Sequence, residues 1–571
     1  MLTPLSWNRN GAFALALVPA ICAGLWLRWH LLADQVLGDD EWHGFYYAIG
    51  KSPLWLLTHF SIPGATCIPL NFYTWLVGTT VGWSETWLRL PSLVGGVAAV
   101  AAGPWLAREI IGTRRAGLLA GLLAISPLLV FYSRICRPYS AVALLAFVSL
   151  LFAARWLQSG GRRPAALFAV TGVLAIYFHL FAVVTVAAPM LAVLIFLICA
   201  RLVKASGRAP AGPSLREWII ASAIIISGCV ILVLPALIHS MQSTFFNIAL
   251  AGKLSFQSLP KVAELISGTG QPVLAVLFWA AFVAGVVEQC RRNPWFGWML
   301  VGLYPLHALA LLLSRPDSAQ SAIVLARYCI PLVPVTLLLV ACGVQAALEA
   351  AIRHSALQTS IAAAAVAALA LAGPLPQCYL APNNFTSHGA YQHRYGNNDW
   401  QKSFVSDLTP ADFTLVTAVR AEEISPFYRW LQNHPGPRPV VEYPMLIGDH
   451  FNPLYFYQHF HRRPVLVGYV TDLTPARGLA PGNIYGNTYI DQVLSLVPDP
   501  ARLHFQNLVA MDDMAALRGR AAEFVILHKQ FEAQLPAVML PLPDLARLQD
   551  KFRLTLGEPF YEDAHIAVFQ P

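Results

Sequence analysis

The sequence predicts a polytopic α-helical membrane protein with about 11 transmembrane helices, surface helices in its first outer loop and a C-terminal soluble α/β domain. Three observations carry that expectation. The 571 residues are 57% hydrophobic and only 12% charged, with a mean hydropathy of +0.55, whereas a soluble globular domain carries about 25% charged residues. Apolar runs of spanning or near-spanning length recur along the first two thirds of the chain. After residue 376 the composition turns to Asp, Asn, His, Arg and Pro, with short strand-like stretches.

A membrane span needs about 20 apolar residues. Runs near that length fall at 11–32, 91–107, 116–133, 138–157, 164–180, 181–200, 217–239, 272–289, 296–313, 328–349 and 358–376. The first follows a single basic residue, Arg9, and lacks a clear small-x-small cleavage site. It therefore reads as an uncleaved span. The stretch 53–83 is ambiguous, because IPLNFYTWLVGTTVGW has the length of a short span. Loop charge decides. With a cytoplasmic N-terminus and 34–90 kept as one outer segment, the loops holding Arg108/Arg114/Arg115, Arg155/Arg162/Arg163, Arg201/Lys204/Arg208/Arg216, Arg291/Arg292 and Arg353 all fall inside. Making 68–83 a span reverses every later loop. Residues 40–83 are thus expected to form amphipathic helices on the membrane surface, with Trp42, Trp55, Tyr73 and Trp75 at headgroup level.

This divides the chain into a transmembrane domain, 1–376, whose outer loop is 33–90, and an extracytoplasmic domain, 377–571. The second contains the strand candidates DFTLVTAV, PVVEYPML, RPVLVGYV and EFVILH, with helical patches ISPFYRWLQNH and MDDMAALRGRAAE between them. The nine cysteines form no CxxC pair and none follows Cys378, so the tail is no disulfide scaffold. The net charge of +8 sits largely in short loops and reports topology, which removes the case for a nucleic-acid partner.

The most telling polar feature is Asp39-Asp40-Glu41, just past the first span. Carboxylates beside a bilayer are costly without a partner or a task. A sugar on a polyprenyl phosphate already carries a good leaving group, so its transfer needs only a base for the acceptor hydroxyl. A glycosidase, by contrast, needs a carboxyl pair. One carboxylate at the outer surface is therefore chemically sufficient. Asp39 is also well placed to cap a surface helix starting at Asp40.

Four pieces of sequence then carry a resemblance. They are Asp40-Glu41 after the first span and Arg89-Leu90-Pro91-Ser92 at the entry to the second. The third is the run from Ser126 to Tyr139, with SP and YSRICRPY, and the fourth is Arg327-Tyr328 with Pro331 at the entry to a late span. In order and spacing the chain resembles the integral-membrane C-type glycosyltransferases related to protein O-mannosyltransferases and the lipid A aminoarabinose transferase. The resemblance implies an inverting transferase that uses a polyprenyl-phosphate sugar. It places the catalytic Asp at Asp40, with Glu41 tuning it or contacting the acceptor. Two family features differ: the His-Pro-Pro segment of many relatives is represented by Pro69 alone, and the place of a second outer-loop Asp is taken by Tyr139.

Guanidinium groups near the outer face are the expected partners of the donor phosphate, which they can hold bidentately. The candidates are Arg134 and Arg137 at the end of the third span and Arg327, beside Tyr328, before the tenth, with Lys51 and Arg315 as additional candidates. Arginines at span ends also snorkel to headgroups without doing chemistry. His43, His59 and His179 lie on or near the outer side, and His43 would share a helical face with Asp40. No ligand-motif spacing accompanies them. No metal site is assigned and no cofactor is required, although a divalent metal is left open.

The expected activity is glycosyl transfer from a polyprenyl-phosphate-linked donor to a hydroxyl of a lipid, polysaccharide or protein acceptor. It would take place at the outer face of a bacterial inner membrane, among membrane lipids. A flippase for a lipid-linked saccharide and a non-catalytic assembly protein acting through the tail are the alternatives. The clustering of charge at one face and the lack of a visible internal repeat count against the flippase.

Overall fold

The structure is a computed structural model. It describes residues 7–30, 32, 41, 48, 51–60, 67–82, 84–204, 212–240, 258–314, 322–376, 425–436, 438, 440–443, 445–446, 461, 463, 508–509, 523–529 and 545–570.

Every apolar run of the first domain is helical. The helices are Trp7–Trp29, Glu85–Ile111, Thr113–Ile125 continued by Pro127–Tyr132, Tyr139–Ser159, Arg162–Phe178, Val183–Lys204, Leu215–Leu232, Pro272–Arg292, Pro294–Ser314, Val333–Ala351 and Ser355–Ala372. Among the described residues, eight helices are long and apolar enough to cross a membrane. The chain is a multi-pass membrane protein. Many large apolar side chains stay outward-facing, including Leu15, Ile226, Val273, Leu313 and Leu371, as a lipid-facing surface requires.

Between the first two long helices the described residues include the short helices Pro53–Thr58 and Ile68–Thr80. The second has 13 residues and is about 20 Å long, too short for a hydrocarbon core of about 30 Å. Tyr73 Oη donates to the Trp87 carbonyl at 2.8 Å, which ties this helix to the start of Glu85–Ile111.

Small residues set the closest crossing. A methyl group on Gly285 would overlap the Leu339 carbonyl, and one on Gly343 would overlap the Ala281 carbonyl. Pro272–Arg292 and Val333–Ala351 therefore meet backbone to backbone, as small-residue interfaces allow within membranes. At one end of the bundle Arg115, 6% exposed, bridges Glu288 and Glu349 at 2.7 Å each. The pair is joined by Arg292 at 2.9 Å from Glu288.

The tail holds a four-stranded sheet in the order β1-β4-β6-β5. The strands are β1 (Val440–Tyr443), β4 (Phe524–His528), β5 (Tyr561–Glu562) and β6 (Ile566–Phe569). β1 and β4 run parallel, while β4/β6 and β5/β6 are antiparallel. A second pair, β2 (Met445–Leu446) and β3 (Leu508–Val509), is antiparallel. β4 and β6 are buried throughout, and Phe427, Tyr428, Leu431 and Phe552 from the Pro426–Asn433 and Leu545–Leu556 helices are buried with them. PVVEYPML and EFVILH thus supply strands and ISPFYRWLQNH a helix. DFTLVTAV, most of RPVLVGYV and most of MDDMAALRGRAAE lie outside the described residues.

Candidate active site

The site is built where helices break. Pro127 has no N–H, so the Leu123 carbonyl loses its helical partner. Arg28 fills the gap: Nη2 donates to Leu123 O and Nη1 to Ala124 O, both at 3.0 Å, while Nε reaches Ser133 Oγ at 3.2 Å. The first helix is thereby fixed against the 126–133 segment. Gly96 lets the next helix approach as well, because a Cβ there would collide with Ser133. One turn earlier, Ser92 Oγ donates to the Arg137 carbonyl at 2.8 Å, and Ser140 Oγ returns a bond to the Ser92 carbonyl at 2.7 Å. Arg89, Ser92 and Gly96 thus lie along the side of Glu85–Ile111 that holds the polar pieces of the site.

Glu41 completes this frame. Its carboxylate takes a bidentate pair from Arg89, Nε at 2.8 Å and Nη2 at 2.7 Å, and accepts the Cys136 backbone N–H at 2.7 Å. Both side chains are buried, at 3% and 0% exposure. Burial and the nearby Glu41 charge push the Cys136 thiol up to about 12, so it stays protonated. Arg134, also buried, gives Nη1 to the Leu27 carbonyl at 3.1 Å and serves the end of the first helix.

Beyond this frame lies a cationic and aromatic cluster. Tyr139 has the Arg137 guanidinium 5.9 Å and the Arg327 guanidinium 5.7 Å from its ring centre. Arg327 also lies 5.6 Å from the Tyr328 ring. His179 is 5.7 Å from Tyr139 and 6.1 Å from Tyr328, ring to ring, and both guanidiniums act on it electrostatically. Phe181 packs on Tyr328 at 4.8 Å, with buried His307 behind it at 6.2 Å. Three helical segments start here: Tyr139–Ser159 after Pro138, Leu180–Leu202 capped by His179, and Ile330–Ala351 with Pro331 in its first turn. Helix N-termini carry partial positive charge. Two helices also end here, at Phe178 and Tyr328, so the positive charge of the junction rests on the two guanidiniums, groups suited to an anion.

Arg137, Tyr139, Arg327 and Tyr328, taken from distant parts of the sequence, are therefore brought together. Glu41 and Arg134 are held in the neighbouring frame. Lys51 is placed elsewhere, 4.7 Å over the Trp55 ring. Asp40, His43 and Arg315 lie outside the described residues. His179 and His307 were given no role by sequence reasoning. A signal for His179 exists in YFHLFA, a polar residue where two apolar runs abut. For His307, a lone His within an apolar run, the sequence offers nothing specific. Among the described residues, no group of three or more His, Cys, Asp or Glu side chains is arranged to hold a metal ion.

No protein-family model and no curated protein matches the chain. Among solved structures it is similar to ArnT from Cupriavidus metallidurans bound to undecaprenyl phosphate, at 14% identity over 98% of both chains, with a TM-score of 0.49. It is also similar to the archaeal oligosaccharyltransferase AglB from Archaeoglobus fulgidus, in complex with an inhibitory peptide and a dolichol-phosphate. That match has 12% identity over 91% of this chain and 70% of that one, with a TM-score of 0.43. A third similarity is to the arabinosyltransferase EmbB from Mycobacterium smegmatis, at 16% identity over 60% of this chain and 31% of that one, with a TM-score of 0.38.

Proposed function

We propose that the chain is a C-type glycosyltransferase that moves a sugar from a polyprenyl phosphate to an acceptor hydroxyl at the outer membrane face. The observation that supports this reading is the meeting of two guanidiniums from distant parts of the chain, Arg137 and Arg327, at 5.9 and 5.7 Å from the Tyr139 ring. In this reading the donor phosphate binds there, and its lipid tail lies between the helices. Asp40 removes the acceptor proton as the acceptor oxygen attacks C1. The C1–O bond breaks, and its electron pair leaves with the phosphate. The two guanidiniums take up the developing charge, an effect strengthened where water is scarce. Glu41 is committed to Arg89 and the Cys136 N–H, so it acts as a positioning residue for its neighbour.

The test is incubation of the purified protein with radiolabelled polyprenyl-phosphate sugars in vesicles. A transferase releases polyprenyl phosphate and labels an acceptor. Movement of the intact lipid without cleavage would favour the flippase reading, and neither outcome would favour an assembly role.

A further inference from the structure

His179 stands at the centre of the cationic cluster, and its hydrogen bonding is informative. Its Nδ1 accepts the Phe181 backbone N–H at 3.3 Å, capping the 180–182 turn. A ring nitrogen that accepts from an N–H carries no proton of its own. The imidazole is therefore held as the neutral tautomer with hydrogen on Nε2. The Nδ1 edge is turned to the backbone, which leaves the Nε2 edge as the side available to a ligand, in a ring whose neighbours are Tyr139 at 5.7 Å and Tyr328 at 6.1 Å and which the guanidiniums of Arg137 and Arg327 reach electrostatically. Among the described residues no protein group bonds Nε2. The result is a buried neutral donor with a fixed tautomer, within electrostatic reach of two guanidiniums.

We infer that His179 is a third phosphate ligand, an Nε2–H donor that hydrogen-bonds a phosphoryl oxygen of the lipid carrier between Arg137 and Arg327. This rests on the glycosyltransferase reading and deepens it. On cleavage of the C1–O bond the phosphate gains negative charge, and the bond from His179 shortens without transfer of its proton. A neutral donor here adds direction that two delocalised cations lack.

The test uses the full chain in phosphatidylcholine nanodiscs, with undecaprenyl phosphate as the probe and undecaprenol as its phosphate-free control. The deciding variant is His179→Asn. Asparagine keeps an oxygen at the capping position for the Phe181 N–H and removes the distal donor. Expected are an unchanged melting temperature, about a tenfold or greater loss of affinity for undecaprenyl phosphate, and unchanged affinity for undecaprenol. Wild-type affinity in His179→Asn would reduce the residue to a cap and overturn the inference. So would displacement of the probe by excess phosphatidylglycerol, which would mean that bulk headgroups occupy the site. Failure of the wild-type protein to prefer undecaprenyl phosphate over undecaprenol would instead overturn the glycosyltransferase reading. If His179→Asn does not fold, His179→Gln, which restores a distal N–H, decides in its place: affinity as low as that of His179→Ala overturns the inference.

Discussion

Glu41 and Arg89 form a buried, bidentate pair with a third bond from the Cys136 backbone. Removing one member of such a pair leaves an uncompensated charge and costs about 3–5 kcal/mol. Glu41→Ala and Arg89→Ala should each lower the melting temperature of the purified protein markedly, and the double variant should lose less than the sum. Turnover lost with full thermal stability would instead place Glu41 in the chemistry. Asp40 is expected to behave in the opposite way: Asp40→Asn should abolish transfer and leave the melting curve unchanged. Wild-type turnover by that variant would refute its assignment as the base. Arg327 lies over the Tyr139 and Tyr328 rings, at 5.7 and 5.6 Å. Arg327→Ala should raise the donor KM about tenfold or more, in line with the loss of a charge-assisted contact. Unchanged donor dependence would remove it from the phosphate site.

At the scale of elements, the closest contact joins Pro272–Arg292 to Val333–Ala351 through Gly285 and Gly343. Overpacking a core commonly costs about 1–3 kcal/mol. Here the colliding atoms are backbone carbonyls, which cannot change rotamer, so Gly285→Leu should lie at or beyond the upper end. The readout is the thermal stability of the detergent-solubilised protein, with Gly302→Leu as control, since a Cβ at Gly302 meets nothing within 4 Å. Equal stability of the two variants would mean that the helices part easily. The same crossing helps seat Ile330–Ala351, one of the three segments that begin at the Arg137–Tyr139–Arg327 cluster.

The whole molecule joins a lipid-facing bundle to a domain of quite different stability chemistry. In the tail, burial drives the His528 imidazole down to about 3, partly opposed by Asp563. Its unfolded value is near 6.5, so below that pH the unfolded chain binds the extra proton and the folded chain does not. Tail stability must therefore fall as pH drops from about 6.5 towards 3. Asp563 acts in the same direction. Burial opposes its charge, but bonds from Ser425, the His565 and Ile566 N–H groups and Tyr561 hold it below the usual range. The stability it adds above its unfolded value is lost in acid. Limited proteolysis of the full-length protein should release tail fragments faster at pH 4.5 than at pH 7.5. His528→Gln should reduce that difference, and equal cleavage at both pH values would contradict the assignment.

Much of this was legible in advance, because the bilayer imposes length and polarity on every span. Apolar runs of about 20 residues and the Pro and Gly punctuation mark the helices in their order without reference to any partner, although of the eleven expected spans eight helices among the described residues meet both the length and the apolarity of a span. The motif residues Arg89, Arg137, Tyr139 and Arg327 could likewise be picked out one by one. What they do could not, because each role depends on which distant group fills the space beside the side chain. That Glu41 meets Arg89, and that Arg134 Nη1 meets the Leu27 carbonyl, is visible only in the folded chain. His179 gains meaning only when Phe181 fixes its tautomer and guanidiniums about 190 residues apart in the chain come within electrostatic reach of it. The sequence by itself determined a multi-pass helical bundle with an α/β tail, since local hydropathy suffices for that. Only the tertiary structure decided which distant polar residues meet, because those meetings are made by packing between helices.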